Sequence, residues 1–165
     1  CLARGLELLG IKAHLSQTEK KTMKKESELV SCCFSEPSGH ELLVGTQKIC
    51  GSAQMRTRGG FLQHGSLLMT FDPVATASLI LKSPLPEHVR ILEDSVAAVN
   101  KLMESPVGPE RMCEVLKKGF VDELGVDLVE GSLSWAEKEW VSQLVHKYES
   151  ASWNWERKKE VWKID

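Results

Sequence analysis

The stretch Lys48-Ile49-Cys50-Gly51-Ser52-Ala53-Gln54-Met55-Arg56 decides how this chain folds. It reads as a strand, yet Gly51, Ser52 and Ala53 put small residues in its middle. Small residues weaken a strand and are tolerated where a ligand or another backbone comes close. Period-two alternation predicts Lys48, Cys50, Ser52 and Gln54 on one face, and Ile49, Gly51, Ala53 and Met55 on the other. On pattern alone the polar face is expected to be solvated, with Lys48 a surface lysine.

Three further strands are expected around it, at residues 29–34, 41–44 and 61–71, with the central one covering 48–56. Turn-forming Pro37-Ser38-Gly39, Gly45-Thr46 and Gly59-Gly60 separate them, which makes an antiparallel meander. Before it, Leu2, Leu6 and Leu9 share one face of a helix stopped by Gly10, and Ile11, Ala13 and Leu15 alternate as a short strand. The lysine-rich stretch 16–28 reads as a surface loop. After the meander the pattern turns helical. Asp72-Pro73 opens one helix and Pro86 a short one, while 95–103 is left unassigned. Residues 109–124 form a firmer helix, with Pro109 at its start, Gly125 past its end, and Met112, Val115, Leu116, Phe120 and Leu124 on one side. A short strand is expected at 126–129. Ser134-Trp135-Ala136-Glu137 is a capping box opening a helix to about Tyr148. Strands followed by helices predict an α+β fold rather than a doubly wound one.

The 165 residues are 42% hydrophobic and 27% charged, which is the mix of a globular domain able to bury its own core. No apolar run approaches the roughly 18 residues of a membrane helix. Net charge is −2, but residues 1–86 carry 10 Lys+Arg against 7 Asp+Glu, while 87–165 carry 11 against 16. That imbalance is too mild for nucleic-acid binding, and no segment interleaves basic and aromatic residues, although a weakly basic half can attract an acidic protein.

The five cysteines, Cys1, Cys32, Cys33, Cys50 and Cys113, include no Cys-x-x-Cys and no metal-ligand spacing with histidine. Free thiols and a cytoplasmic location are expected, with no metal. A cysteine at 32 or 33, ending a strand in the Pro-Ser-Gly turn, would be held by a rigid sheet and open to a cleft. A cation such as Lys48 is one way to lower its pKa and make it a nucleophile. Against this, both cysteines can simply pack in the core. A lone histidine such as His64 is more often structural than a base, and Gly65 beside it again signals close approach. Nucleophile-elbow, zinc-protease and phosphate-loop motifs are absent from the sequence.

Taken together, Cys33-Phe34-x-x-Pro37-Ser38, Glu41-Leu42, Lys48-Ile49-x-Gly51-Ser52-Ala53-Gln54 and Leu62-Gln63-His64-Gly65-Ser66-Leu67-Leu68 resemble the biotin/lipoate protein ligase superfamily, in its cysteine-dependent octanoyl or lipoyl transferase form. Gly119-Phe120, Lys147-Tyr148 and Trp153-Asn154 are similar as well. The resemblance implies a class II synthetase/biotin ligase-like α+β fold with an antiparallel or mixed sheet and packed helices. It also implies an activity. An acyl group passes from an acyl carrier protein, or a lipoylated donor protein, to a cysteine thioester, and then to a lysine of a lipoyl-domain acceptor protein. No cofactor, nucleic acid or membrane is expected to take part. Carried over, Cys33 would be the nucleophile, while Cys32 does not fit the motif position. Lys48 would lie beside the acyl carbonyl, Gly51, Ser52, Ala53 and Gln54 would wall the acyl tunnel, and His64 and Gly65 would sit on the adjoining strand. Acceptors in such families tend to be acidic, which gives the positive excess of residues 1–86 a purpose.

Two departures accompany the resemblance. Cys50 stands where a small residue is usual, and the family's Arg-and-Gly-rich loop has no counterpart here. Residues 1–165 are therefore expected to be the C-terminal portion of one acyltransferase domain, with the loop supplied by a missing N-terminal segment or a partner chain. The alternatives are an ATP-dependent lipoate-protein ligase, which needs no cysteine, and a non-catalytic accessory subunit of a two-chain ligase.

Overall fold

A computed structural model describes residues 1–16, 39 and 41–156 of the chain. The expected strand at 29–34, with Cys32 and Cys33, and Pro37-Ser38 lie outside the described residues. The chain divides into two compact units, Cys1–Asp127 and Leu128–Asp165.

The first unit is built on four antiparallel strands in the order β1 (His14–Leu15), β2 (Leu42–Val44), β3 (Gln47–Thr57) and β4 (Gly60–Leu67). Positive φ at Gly45 (60°) lets the chain reverse tightly between β2 and β3, where a side chain would be strained. The register then slips. Leu43 pairs with Lys48 but Leu42 pairs with Cys50, so Ile49 is an extra residue on β3. Such a bulge bends the strand and re-aims its side chains. Its mark is three consecutive buried residues, Lys48 at 3%, Ile49 at 0% and Cys50 at 1% exposure, where simple alternation would expose every second one.

Helix α1 (Leu2–Glu7) and helix α4 (Pro109–Leu124) cross at Gly5 and Gly119. A Cβ on Gly119 would stand 2.6 Å from both the Cys1 carbonyl oxygen and the Gly5 nitrogen, so only glycine permits the approach. Leu6, Met112 and Val115 of these helices join Leu42, Ile49 and Cys50 of the sheet in one core. Helix α4 begins at Pro109 and stops at left-handed Gly125, as its sequence predicts. Its apolar face is only half used among the described residues: Met112 and Val115 are buried, Phe120 and Leu124 exposed.

Helices α2 (Pro73–Ile80) and α3 (Pro86–Ser95) share a smaller core of Ala77 and Leu92. Asp72 caps α2, its Oδ1 accepting from the Ala75 N–H at 2.9 Å. The expected strand at 61–71 is shorter than its apolar pattern suggests. Past Leu67 the carbonyls turn to other partners, Leu68 and Met69 accepting from the Val99 and Asn100 N–H groups, while the Leu68 N–H makes a last bond to the Ile49 carbonyl at 3.2 Å. In the unassigned stretch 95–103, Ser95 ends α3, and an extended piece then leads into a single 3₁₀ turn, Val99–Lys101. Val96 forms a parallel bridge with Lys48, which makes the sheet locally mixed.

The second unit contains α5 (Trp135–Glu149) and α6 (Ala151–Asn154). Ser134 and Glu137 close the predicted capping box, the Ser134 N–H donating to Glu137 Oε2 at 2.7 Å. Lys147, Tyr148 and Trp153 come together at the α5–α6 junction, with Lys147 Nζ 4.8 Å from the Trp153 ring centroid and the two rings edge to face at 5.0 Å. The strand expected at 126–129 is not formed. No ladder partner runs beside it among the described residues, and Val129 is 89% exposed.

Candidate active site

Glu41 precedes β2 and Lys48 lies at the start of β3, seven positions apart in sequence. The β2–β3 hairpin brings them face to face. Lys48 Nζ stands 2.7 Å from Glu41 Oε1, with Lys48 3% and Glu41 7% exposed. The expectation of a solvated surface lysine is overturned. A lone ammonium could not be buried at tolerable cost, and the carboxylate beside it makes the burial feasible.

The bulge also overturns the predicted facing. Lys48 lies against Gly51 rather than sharing the face of Cys50. A Cβ on Gly51 would stand 3.3 Å from Lys48 Cε, 3.5 Å from Nζ and 3.9 Å from Glu41 Oε1. Backbone contacts hold the strand here, since the Lys48 carbonyl accepts from the Ala97 N–H at 2.9 Å. Gln47 Nε2 donates to the Glu93 carbonyl at 2.6 Å, tying the strand start to the end of α3.

A cleft of about 270 Å³ opens over this pair. Glu41, Lys48, Gly51, Ser52, Ala53, His64, Gly65 and Ser66 line it. Ala53 pairs across the ladder with His64, Ser52 with Gly65 and Gly51 with Ser66, so the lining is a single stretch of two-stranded ribbon. Gly65 is required by close approach: its Cβ would fall 2.5 Å from the Gly51 carbonyl oxygen. An ammonium lining a cleft beside small residues such as Gly51 and Ala53 can stabilise negative charge developing on a carbonyl oxygen while leaving room for an unbranched chain.

The structure therefore gathers Lys48, Gly51, Ser52, Ala53, His64 and Gly65 around one cleft. Gln54 is not among its lining residues; its Nε2 donates to Gln63 Oε1 at 3.0 Å and its Oε1 accepts from Arg56 Nε at 2.6 Å. Cys33 lies outside the described residues. Cys50 is 1% exposed in the core, and burial pushes its thiol pKa up, against the requirement of a nucleophile. Among the described residues no cluster of His, Cys, Asp and Glu could hold a metal, and no helix is long and apolar enough to cross a membrane. Glu41 belongs to the quoted motifs, but the sequence alone assigns it no role. The Gly45-Thr46 turn was the available signal, because a tight hairpin there carries position 41 back to the Lys48 strand.

Comparison with known proteins places this geometry in a family. The model of the lipoyl protein ligase A/B catalytic domain matches residues 1–121. The chain belongs to the lipoyl protein ligase A/B catalytic-domain family. It is 36% identical to octanoyltransferase LipM of Kyrpidia tusciae and 33% identical to octanoyltransferase LipM of Bacillus subtilis, each alignment covering 94% of this chain and 58% of the relative. The chain thus spans somewhat over half the length of these relatives. Among solved structures, the bi-partite lipoate protein ligase of Thermoplasma acidophilum superposes with a TM-score of 0.70 at 21% identity, covering 98% of this chain and 57% of that one. At that identity the likeness concerns the fold, and it agrees with the α+β architecture read from the sequence. The family match spans the cleft and helices α1 to α3, and ends within α4.

Proposed function

We propose that this chain carries the acyl-binding part of a cysteine-dependent octanoyl or lipoyl transferase, and that residues 1–165 are a portion of one such catalytic domain. The observation that supports this best is the buried Lys48 ammonium in the lining of a cleft it shares with Gly51 and Ala53. Similarity to the two octanoyltransferases points the same way.

In this reading the Cys33 thiolate attacks the acyl carbonyl carbon of a carrier-bound thioester. A new C–S bond forms, and the carrier thiol leaves with the electrons of the old one and takes a proton. The amine of an acceptor lysine then attacks the Cys33 thioester. An amide forms, Cys33 departs as thiolate, and the amine gives up one proton. Each attack places negative charge on the carbonyl oxygen, where Lys48 stabilises it and favours the thiolate. Gly51, Ser52 and Ala53 wall the chain, with Gln54 shaping the strand beyond them, and Gly65 keeps the neighbouring strand close. His64 is structural rather than a base. Burying the chain contributes about 0.8 kcal/mol per CH₂, several kcal/mol for eight carbons. The partners are an acyl-carrier or lipoylated donor and a lipoyl-domain acceptor protein, in the cytoplasm.

The test is to incubate the complete gene product with an octanoyl carrier protein and, in parallel, with a lipoylated donor, then locate the acyl group by mass spectrometry. An octanoyl or lipoyl adduct on Cys33 that moves to a lipoyl-domain lysine without ATP is expected. Full transfer by Cys33→Ala would overturn the proposal, and attachment of free lipoate that requires ATP would replace it with a ligase.

A further inference from the structure

Glu41 has no part in the transfer chemistry described above, yet it is buried with its carboxylate on the one ammonium that chemistry uses. We infer that Glu41 is a positioning residue that fixes Lys48 Nζ at the cleft, and that the Ile49 bulge exists to bring the two together. The inference deepens the acyl-transfer reading and rests on it.

A lysine side chain has four rotatable bonds and sweeps a wide volume unless its end is held. Here both ends are held. The Lys48 carbonyl accepts from Ala97 and the ammonium is 2.7 Å from Glu41 Oε1. Glu41 is itself anchored by its backbone, since its carbonyl accepts from the Ser16 N–H at 2.8 Å beyond β1. Without the bulge, Lys48 would alternate with Ile49 and share the core-facing side of Cys50. With Ile49 inserted, the ammonium lies over Gly51, where the missing side chain leaves 3.3 Å between a would-be Cβ and Lys48 Cε. An ammonium offers three N–H donors. Spending one on a fixed carboxylate orients the group before substrate arrives, and a pre-oriented donor needs no reorganisation as charge develops. The carboxylate also offsets the cost of keeping the ammonium buried between turnovers. Glu41 therefore acts through Lys48, on the transition state rather than on substrate affinity.

The experiment compares wild type, Glu41→Gln, Lys48→Gln and the double variant as complete gene products, measuring kcat and KM for Cys33 thioester formation from octanoyl carrier protein. Losing an oxyanion donor outright costs about 100- to 1000-fold in rate, so misplacing one is expected to cost at least about 10-fold. Glu41→Gln should lower kcat by that factor with KM within about twofold, and should have no further effect in the Lys48→Gln background. An unchanged kcat in Glu41→Gln, or an equal loss in both backgrounds, would overturn the inference, since Glu41 would then act independently of Lys48. Should Glu41→Gln fail to fold, the double variant is expected to fold with the activity of Lys48→Gln, and a double variant that is also unfolded overturns it. A wild-type protein that forms no thioester removes the acyl-transfer reading itself and this inference with it, whereas an active wild type with an indifferent Glu41→Gln removes the inference alone.

Discussion

Replacing Gly65 with alanine would put a Cβ 2.5 Å from the Gly51 carbonyl oxygen, and backbone cannot swing aside as a side chain can. Strands β3 and β4 must part, so Gly65→Ala is expected to cost about 1–3 kcal/mol and to lower Tm by roughly 3–10 °C in thermal unfolding. Gly51→Ala meets the Lys48 side chain at 3.3 Å instead, a contact that a shift of a few tenths of an ångström relieves. It should lower Tm less than Gly65→Ala does and still slow acylation, because the ammonium is what moves. Tm readings in the reverse order would mean that the ribbon yields more easily than Lys48. The thiols divide just as sharply. Cys113 is exposed, while Cys50 is buried and its thiol pKa raised by that burial. Iodoacetamide at neutral pH should alkylate Cys113 and spare Cys50 in the folded protein, as peptide mapping would reveal; modification of Cys50 at a similar rate would contradict its burial. Small residues at 51, 53 and 65 were legible in the sequence as a place of close approach. The burial of Lys48 was not, because it depends on Glu41, whose position opposite is set by a hairpin register that alternation does not encode.

Helices α4 and α5 were legible nearly to the residue, since proline, glycine and the capping box act locally and need no tertiary partner. Strands were legible only where a partner exists. The run 126–129 has a strand's composition but pairs with nothing among the described residues, and β4 ends early because the Leu68 and Met69 carbonyls bond to the 99–100 segment instead. The α5 cap carries its own prediction. Hydrogen bonds from Ser134 hold the Glu137 carboxyl below its ordinary value, so the pair stabilises the first turn above the carboxylate's unfolded pKa and loses that contribution as pH falls through the lower, folded one. Ser134→Ala should weaken the first turn near neutral pH, since it removes the hydroxyl that accepts from the Glu137 N–H. Amide hydrogen exchange over residues 135–138 reads this. The first-turn amides should exchange faster in the variant at neutral pH, and the difference should shrink in acid. A gap independent of pH would assign the effect to the serine hydroxyl alone.

At the scale of the whole molecule, charge is the property that a protein acceptor would feel first. Residues 17–38 carry four charges of each sign, so the excess of three positive charges in 1–86 rests on the flanking residues, which carry six Lys+Arg against three Asp+Glu. Lys48 is neutralised by Glu41, and Arg4 by Glu7 and Asp122. What is left to act at a distance includes Arg56 and Arg58, exposed at the tip of the β3–β4 ribbon. At roughly 3.3 Å per residue the six steps from Gly51 to Thr57 put the tip about 20 Å away. That is well beyond the roughly 8 Å Debye length of physiological salt, so these arginines would steer an acidic acceptor of the proposed transfer rather than act on the chemistry at the cleft. Raising salt from about 0.01 to 0.3 M should raise KM for the acceptor a few-fold and leave single-turnover acylation of Cys33 unchanged. Arg56→Glu with Arg58→Glu should raise KM similarly at low salt and flatten the salt dependence. A double variant with the salt response of wild type would move the acceptor's approach away from the ribbon tip, and loss of Cys33 acylation in that variant would mean that the tip serves the cleft itself.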